Sequence, residues 1–412
     1  MKNLVPQILY RVFNLINKNQ LNFHYNNVKK VNENKESTVK NVEEYLKLWN
    51  RNPDILNNEI MYKSDVLKDT QLVPKEKIHS FAYTGGSYGE PLRIPYSKNR
   101  GFIRTATFKY FNEFGGYKLG DAFVLIRAKS KSALEKFLRN ENIFIPNDIS
   151  EKKIKEFITL LKSKKIKVLM GYPSVIFELA LYLKKNPAEL EGLKIKSIIS
   201  VSEPLEDYKR EIIHDVIKAS FVDRYSNEEV GLIAQQKEFG GEYFVNRYGV
   251  FVEILNPETN EPVAEGEQGK VIVTDYHNDL IPIIRYDTGD FAQAYKYVDG
   301  QLFSIAKIAG RVTEQIFSTN GTPISSLMLG LYIYKPLSEE GQVYQYQFAQ
   351  IDTKRYELRI KANASDLSEK LIQKLKDGLL QFLGEDANLQ IKTVEDIKPQ
   401  PSGKRPVFKN EM

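Results

Sequence analysis

The chain has 412 residues, of which 42% are apolar and 27% charged, so it can bury a sizeable core and is not expected to be disordered overall. Its net charge of +6 is too small to argue for a nucleic-acid or membrane partner. It has no cysteine and only four scattered histidines, which excludes disulfides, thiolate metal sites and cysteine nucleophiles and gives no support to a zinc site.

Residues 1–75 are predicted to form a helical, polar lead-in, with an exposed, mobile loop over residues 26–40, where apolar side chains are few. The apolar run over residues 4–16 is interrupted by Pro6 and Arg11. This pattern favours a helix packed on its own domain over a helix at a membrane surface. No apolar stretch is long enough to span a membrane, and no export signal is evident, so a cytoplasmic protein is expected.

Short strands are predicted over residues 78–83 and 92–96, with a glycine-rich segment between them. A helix follows, because apolar side chains recur every four residues from Phe102 to Phe114. The pair Gly115 and Gly116 is expected to end this helix.

Strand-like and helix-like segments alternate between residues 121 and 235, which predicts βαβ units and a parallel sheet. The predicted strands cover residues 121–127, 165–170, 196–201 and 220–225, and the predicted helices cover residues 154–161, 173–184 and 205–218. From about residue 242 to 310, short strands separated by turn residues predict a mostly antiparallel β-subdomain.

The segment after Arg311 has the pattern of a small α+β domain. A strand pair is predicted at residues 343–350 and 356–362, an amphipathic helix at 367–383 and a further strand at 389–394. The expected fold class is therefore α/β, with a large N-terminal domain over residues 1–311 and a small, mobile C-terminal domain over residues 312–412.

The glycine-rich segment, residues 84–91, reads Thr-Gly-Gly-Ser-Tyr-Gly-Glu-Pro. Its glycines let backbone N–H groups approach an anion, and its hydroxyl groups add donors, so a phosphate is a natural ligand. It lacks the Gly-Lys-Ser/Thr of a Walker loop and the spacing of a Rossmann fingerprint. Taken alone, it is equally consistent with an ordinary hairpin turn.

The order of residues in this segment resembles the phosphate loop of the adenylate-forming acyl ligases, and four further segments follow in that superfamily's order. Residues 223–231 resemble its Tyr-x-x-x-Glu element, and residues 285–290 resemble its Arg-Tyr-x-Thr-Gly-Asp element. Gly310-Arg311, followed by Asn320-Gly321, resembles its hinge segment. Residues 402–404 resemble its C-terminal lysine loop. Residues 172–174 and 202–205 are most similar to the phenylacetate–coenzyme A ligase family, particularly members associated with capsule and surface-polysaccharide biosynthesis.

The resemblance implies an adenylate-forming-type fold and a two-step reaction. ATP and Mg²⁺ would activate a small carboxylic acid as an acyl-adenylate, and the acyl group would then pass to coenzyme A. Two alternatives remain open: transfer to an amine, a sugar or a carrier protein in surface-polysaccharide or secondary metabolism, or a nucleotide-binding homologue without catalysis. The sequence departs from the usual element at Ser226 and Glu228, where the family has glycine and a hydroxyl residue. An oligomer is possible.

The resemblance also implies roles for individual residues. Lys404 would be catalytic at the α-phosphate, and Glu229 would be catalytic as the ligand of Mg²⁺. The residues implied to bind the nucleotide cofactor are Thr84, Gly85, Gly86, Ser87, Gly89, Glu203, Tyr225, Asp290 and Arg311. Those expected to line the acyl-substrate pocket are Tyr172, Ser202, Ser226 and Asn227. The C-terminal domain would rotate about a hinge near residues 311–314 between the two half-reactions.

Overall fold

A computed structural model of the chain describes residues 18–33, 38–83, 93–118, 121–127, 141–146, 150–311, 316–324, 329, 332–333, 336–337, 345–362, 367–398 and 406–412. The helices discussed below are α1 (Lys18–Glu33), α2 (Val39–Leu48), α3 (Lys63–Thr70), α4 (Lys98–Phe114), α5 (Glu151–Ser163), α6 (Pro173–Lys185), α7 (Asp207–Ile217) and α8 (Glu369–Leu383).

The first ten strands are β1 (Ser80–Tyr83), β2 (Arg93–Tyr96), β3 (Phe123–Ile126), β4 (Glu141–Phe144), β5 (Val168–Gly171), β6 (Ser197–Val201), β7 (Ser220–Asn227), β8 (Gly231–Gln236), β9 (Tyr243–Val245) and β10 (Phe251–Leu255). The remaining strands are β11 (Gln268–Asp275), β12 (Ile283–Val298), β13 (Gln301–Arg311), β14 (Ile316–Phe317), β15 (Pro323–Ile324), β16 (Tyr346–Gln350), β17 (Arg355–Lys361), β18 (Asn388–Val394) and β19 (Phe408–Asn410).

Eleven strands form one mixed sheet in the order β10-β11-β12-β13-β9-β8-β7-β6-β5-β3-β4. The strands from β4 to β7 pair in parallel, as the alternation of strands and helices predicted, and the strands from β7 to β10 pair antiparallel. The predicted β-subdomain is therefore continuous with the parallel sheet. Strands β4, β8, β14, β15 and β19 were not predicted from the sequence.

Apolar side chains cover both faces of the parallel half. Consecutive residues of β6 face different clusters: Ile198 packs with Phe157 and Leu179 of α5 and α6, whereas Ile199 packs with Val222 on the opposite face. This arrangement explains why β3 and β5 are continuous apolar runs, since neither face of the sheet meets water.

The antiparallel half of the sheet curls around a second apolar cluster, which includes Val252, Ile254, Val271 and Ile305. Strand β7 lies four places from β12 in the sheet order, yet side chains of the two strands form hydrogen bonds. Only a strongly curved sheet can bring these strands together. The curvature is thus the feature that assembles the candidate site.

The prediction of an exposed, mobile loop over residues 26–40 is wrong for its described part, because residues 26–33 lie in α1. Val28 is fully buried, and Val31 packs in the same cluster, against Ile103 and Ala106 of α4. The few apolar side chains of α1 are spaced on one helical face, so a low apolar content still permits burial. The stretch over residues 4–16 lies outside the described residues.

The C-terminal segment forms a separate four-stranded sheet in the order β18-β17-β16-β19. Helix α8 buries a leucine face, including Leu375 and Leu379, against Phe348 and Tyr356 of this sheet. The predicted strand pair, helix and strand are confirmed, while the boundary near residue 311 stays a prediction. In the described ranges, no helix combines the length and apolar character required to cross a membrane.

Candidate active site

The predicted metal ligand Glu229 lies in the turn of the hairpin formed by β7 and β8. Its side chain is buried, and the hydroxyl of Tyr286 donates a hydrogen bond to its Oε1 at 3.2 Å. The side chain of Asn227 accepts the N–H of Val230 at 2.9 Å and so closes the turn. The Glu229 carboxylate is therefore held in a defined direction by its neighbours.

A second hydrogen-bonded group joins the end of β7 to β12. The hydroxyl of Tyr225 donates to Asp290 Oδ2 at 2.8 Å and also lies 3.2 Å from Thr288 Oγ1. Thr288 accepts the N–H of Asp290 at 3.1 Å and donates to the carbonyl of Val271 at 3.0 Å. Thr288 was missed by the sequence analysis as a site residue, although the alternation of Tyr286, Thr288 and Asp290 along β12 could have indicated a shared face.

The structure thus brings Tyr225, Glu229 and Asp290 together with Tyr286 and Thr288. Arg311 ends β13, and its backbone pairs directly opposite Asp290 in the β12–β13 ladder. The predicted phosphate-loop residues and the predicted catalytic lysine lie outside the described residues; these are Thr84, Gly85, Gly86, Ser87, Gly89 and Lys404. The β1–β2 hairpin flanks the loop segment on both sides.

The predicted acyl-pocket residues follow the carboxyl ends of three adjacent parallel strands. Tyr172 follows β5, Ser202 follows β6, and Ser226 and Asn227 end β7. In parallel sheets this edge is where ligands bind. Gly171 comes close to β3 here: it has a φ of +146°, and an added Cβ would lie 2.5 Å from the backbone oxygen of Ile126.

Glu203, a predicted nucleotide-binding residue, contacts the start of α6. Its Oε2 accepts the N–H of Ser174 at 3.1 Å. Pro173 precedes that residue as the first residue of the helix. A carboxylate at a helix N-terminus is stabilising, because it pairs with N–H groups that have no partner within the helix. The described contact is therefore structural, and the nucleotide role of Glu203 stays a prediction.

Arg285 begins the Arg-Tyr-x-Thr-Gly-Asp element and has a structural place in the sheet. Its guanidinium pairs with Glu253 at 2.9 and 3.2 Å and donates to the carbonyls of Leu56 and Asn58 at 2.9 and 2.7 Å. Burial raises the pKa of the Glu253 carboxyl, and the charge of Arg285 opposes that rise. This arginine therefore ties the N-terminal lead-in to the curled sheet.

A buried charged cluster lies next to the Glu229 turn. Arg100 of α4 pairs with Asp275 at 2.5 Å. His277 follows two residues later, and its Nε2 lies 2.6 Å from the carbonyl of Tyr248. Burial, assisted by the charge of Arg100, lowers the pKa of His277 to about 3.

This lowered pKa predicts a dependence of stability on pH. The unfolded state binds a proton at His277 near pH 6.5 and the folded state does not, so the free energy of unfolding falls as pH drops below 6.5. Between pH 7 and 5.5 we expect His277 to contribute a loss of about 1 kcal/mol. In His277→Gln, the free energy of unfolding measured by urea denaturation should not show this part of the decrease between pH 7 and 5.5. The matched variant His79→Gln, at an exposed position, should keep the parental pH dependence. Identical pH dependence in all three proteins would contradict the prediction.

Comparisons with known proteins bear on the whole arrangement. No protein-family model matches the chain. Over 250 residues it is 22% identical to phenylacetate-coenzyme A ligase of Pseudomonas putida, a match that covers 59% of this chain and only 54% of that ligase. Over 416 residues it is 26% identical to Protein CapK of Staphylococcus aureus, covering 95% of this chain and 85% of that protein.

Two solved structures with a similar fold are coenzyme A ligases. A 2-hydroxyisobutyryl-CoA ligase in the postadenylation state, in complex with 2-HIB-AMP, has a TM-score of 0.67 at 14% identity and covers 95% of this chain and 89% of that chain. The anthranilate CoA ligase AuaEII, in complex with anthranoyl-AMP, has a TM-score of 0.58 at 15% identity over 81% of this chain and 65% of that one.

The fold is thus that of the adenylate-forming coenzyme A ligases. The two sequence matches support the resemblance to the phenylacetate–coenzyme A ligase family that the order of the motifs indicated.

Proposed function

We propose that this protein uses ATP and Mg²⁺ to convert a small carboxylic acid into an acyl-adenylate and then transfers the acyl group to coenzyme A. The observation that carries the proposal is the meeting of Tyr225, Glu229 and Asp290 across a curled sheet. These residues come from two separate sequence elements, each resembling a nucleotide-binding element of the family. One site would thus contain the aromatic ring of Tyr225, the carboxylate of Asp290 as an acceptor for hydroxyl groups, and the carboxylate of Glu229 as a metal ligand.

In this proposal Asp290 binds the ribose hydroxyls, because a carboxylate is an acceptor with two oxygens. The Tyr225 hydroxyl orients that carboxylate through the 2.8 Å hydrogen bond, and its ring flanks the adenine. Arg311, whose backbone pairs opposite Asp290 in the ladder, is proposed to act near the ribose and the phosphates. Residues 84–89 are proposed to bind the β- and γ-phosphates.

The residues present fit a Mg²⁺ ion bound mainly through the nucleotide. In the described part of the chain, no group of three or more acidic, histidine or cysteine side chains could hold a metal. Glu229 would supply a hard oxygen ligand, and Mg²⁺ is usually bound by one or two carboxylates together with substrate phosphates and waters. When bound, the ion would neutralise charge on the phosphates. Glu229 would hold it in place, and Tyr286 would fix the direction of the carboxylate.

The reaction then has two steps. A carboxylate oxygen of the acid attacks the α-phosphorus of ATP, the bond to the β-phosphate oxygen breaks, and pyrophosphate leaves. The sulfur of coenzyme A next attacks the acyl carbon, AMP leaves, and the thiol proton passes to solvent. Lys404 supplies positive charge near the α-phosphate in the first step. Rotation of the C-terminal domain would then admit the thiol.

The acid is proposed to bind at the carboxyl ends of β5, β6 and β7. Tyr172 is buried beside the start of α6, in the apolar cluster that includes Val175. We propose that its ring also borders a pocket for a ring or a short acyl chain. An amine, a sugar or a carrier protein is the alternative acceptor. It deserves a direct test because the match to Protein CapK covers more of this chain than the match to the coenzyme A ligase does.

A pyrophosphate-exchange screen tests the proposal. The protein is incubated with ATP, Mg²⁺ and labelled pyrophosphate against a panel of aromatic, aliphatic, amino and hydroxy acids. We expect acid-dependent exchange with at least one class, and a thioester when coenzyme A is added to that acid. Pyrophosphate exchange without thioester formation would show that the acyl acceptor is a molecule other than coenzyme A. No exchange with any acid would refute the adenylating function.

A further inference from the structure

The backbone on both sides of Glu229 is held by side chains from β2 and α4. The hydroxyl of Tyr96 donates to the carbonyl of Glu228 at 2.9 Å. The guanidinium of Arg100 donates to the carbonyl of Val230 at 2.8 Å. The two carbonyls that flank the proposed metal ligand thus each accept a hydrogen bond from the same β2–α4 unit.

These two donors are themselves fixed. Arg104 donates to the Tyr96 hydroxyl at 3.0 Å, so the single proton of that hydroxyl is directed at the Glu228 carbonyl. The guanidiniums of Arg100 and Arg104 lie 5.8 and 5.3 Å from the centre of the Tyr96 ring. Asp275 pairs with Arg100, and both side chains are almost completely buried. Buried charges with this many partners move little.

The position of the β2–α4 unit in the sequence relates these contacts to ATP binding. Strand β2 begins at Arg93, two residues after the glycine-rich segment that is proposed to bind the phosphates of ATP. The β2–α4 unit therefore connects the end of that segment to the turn that carries Glu229.

We propose that Tyr96 and Arg100 are positioning residues for adenylation, and that they fix the backbone of the turn that carries the Glu229 carboxylate. This inference rests on the proposed function. Neither residue touches the substrate in this scheme; each acts through the backbone of the Glu229 turn. Their loss should weaken use of Mg²⁺·ATP without affecting acyl transfer from a ready-made adenylate.

The test uses Tyr96→Phe in the full chain, which removes one hydroxyl and keeps the ring between the two arginines. We expect the Mg²⁺ concentration for half-maximal pyrophosphate exchange to rise about five- to tenfold, as for the loss of one buried hydrogen bond. Thioester formation from a synthetic acyl-adenylate should stay at the parental rate. Calorimetric titration with ATP should show weaker binding than in the parent only when Mg²⁺ is present.

Tyr297→Phe is the matched control, because the Tyr297 hydroxyl also donates to a backbone carbonyl, that of Val263, at 3.0 Å. It should leave the Mg²⁺ requirement unchanged. A second variant, Arg100→Lys, keeps a positive charge opposite Asp275, but its side chain is shorter than that of Arg100, whose Nη2 donates to both Asp275 and the Val230 carbonyl. It should reproduce the Tyr96→Phe effect.

The outcomes separate the two proposals. If the parent exchanges pyrophosphate and Tyr96→Phe has the parental Mg²⁺ requirement, the positioning role is wrong and the proposed function stands. An equal loss in both half-reactions would also overturn it, because that pattern indicates general destabilisation. If the parent shows no exchange and no Mg²⁺-dependent ATP binding, the proposed function and this inference both fail.

Discussion

Lys404→Ala is expected to abolish adenylation and to leave acyl transfer from a supplied adenylate intact. Charge builds up on the α-phosphate and the attacking oxygen in the first step only, so the lysine is needed there. Loss of one preorganised donor costs about 3 kcal/mol or more, which is a decrease of roughly two to three orders of magnitude in the rate of pyrophosphate exchange. Thioester formation from a synthetic acyl-adenylate measures the second step separately.

Lys398→Ala provides a control in the same domain, since Lys398 is exposed and lies outside the predicted lysine loop. It should keep the parental exchange rate. If Lys404→Ala exchanges pyrophosphate as fast as the parent, the catalytic assignment of Lys404 is wrong. If it loses both half-reactions equally, the lysine is needed for more than the charge of the first step.

Glu229→Gln is expected to have the second-largest effect. The substitution keeps the shape of the side chain and lets Tyr286 still donate to an oxygen, but it removes the charge that Mg²⁺ requires. We expect pyrophosphate exchange at a fixed Mg²⁺ concentration to fall about 100-fold, by comparison with loss of a single electrostatic group in an active site. Part of the activity should return at higher Mg²⁺ concentrations, and thermal unfolding should change little.

Glu228→Gln is the matched control for this result. The Glu228 side chain is more exposed than that of Glu229 and lies 3.4 Å from Arg104, a pairing at the surface that is worth little. Its backbone carbonyl, which accepts from Tyr96, is unaltered by the substitution. Equal losses in the two variants would contradict a specific metal-binding role for Glu229.

The two experiments address different ends of the reaction site. Glu229 is a described, buried residue with a defined partner, whereas the Lys404 assignment derives from the sequence pattern alone. A loss of exchange in both variants would support one site that combines the curled sheet with the C-terminal lysine loop. A loss in Glu229→Gln alone would keep the nucleotide site and require a different source of charge at the α-phosphate.

The sequence alone was sufficient to predict the parallel strands and their helices, the antiparallel segment and the small C-terminal α+β unit. It was also sufficient to indicate a resemblance to the adenylate-forming ligases, because the motifs occur in a fixed order. These features are local: periodicity, turn residues and helix caps act over a few residues. Even Tyr225 and Asp290 could be selected, since each lies within a short element with a recognisable pattern.

Only the tertiary structure decided how those elements meet. The hydrogen bond between Tyr225 and Asp290 joins residues 65 positions apart, and it exists because the sheet curls. The same packing makes Arg285 an anchor for the lead-in and lets Tyr96 and Arg100 hold the Glu229 turn. Such contacts depend on the packing of many strands that are distant in sequence, and no local pattern encodes the curvature which that packing produces.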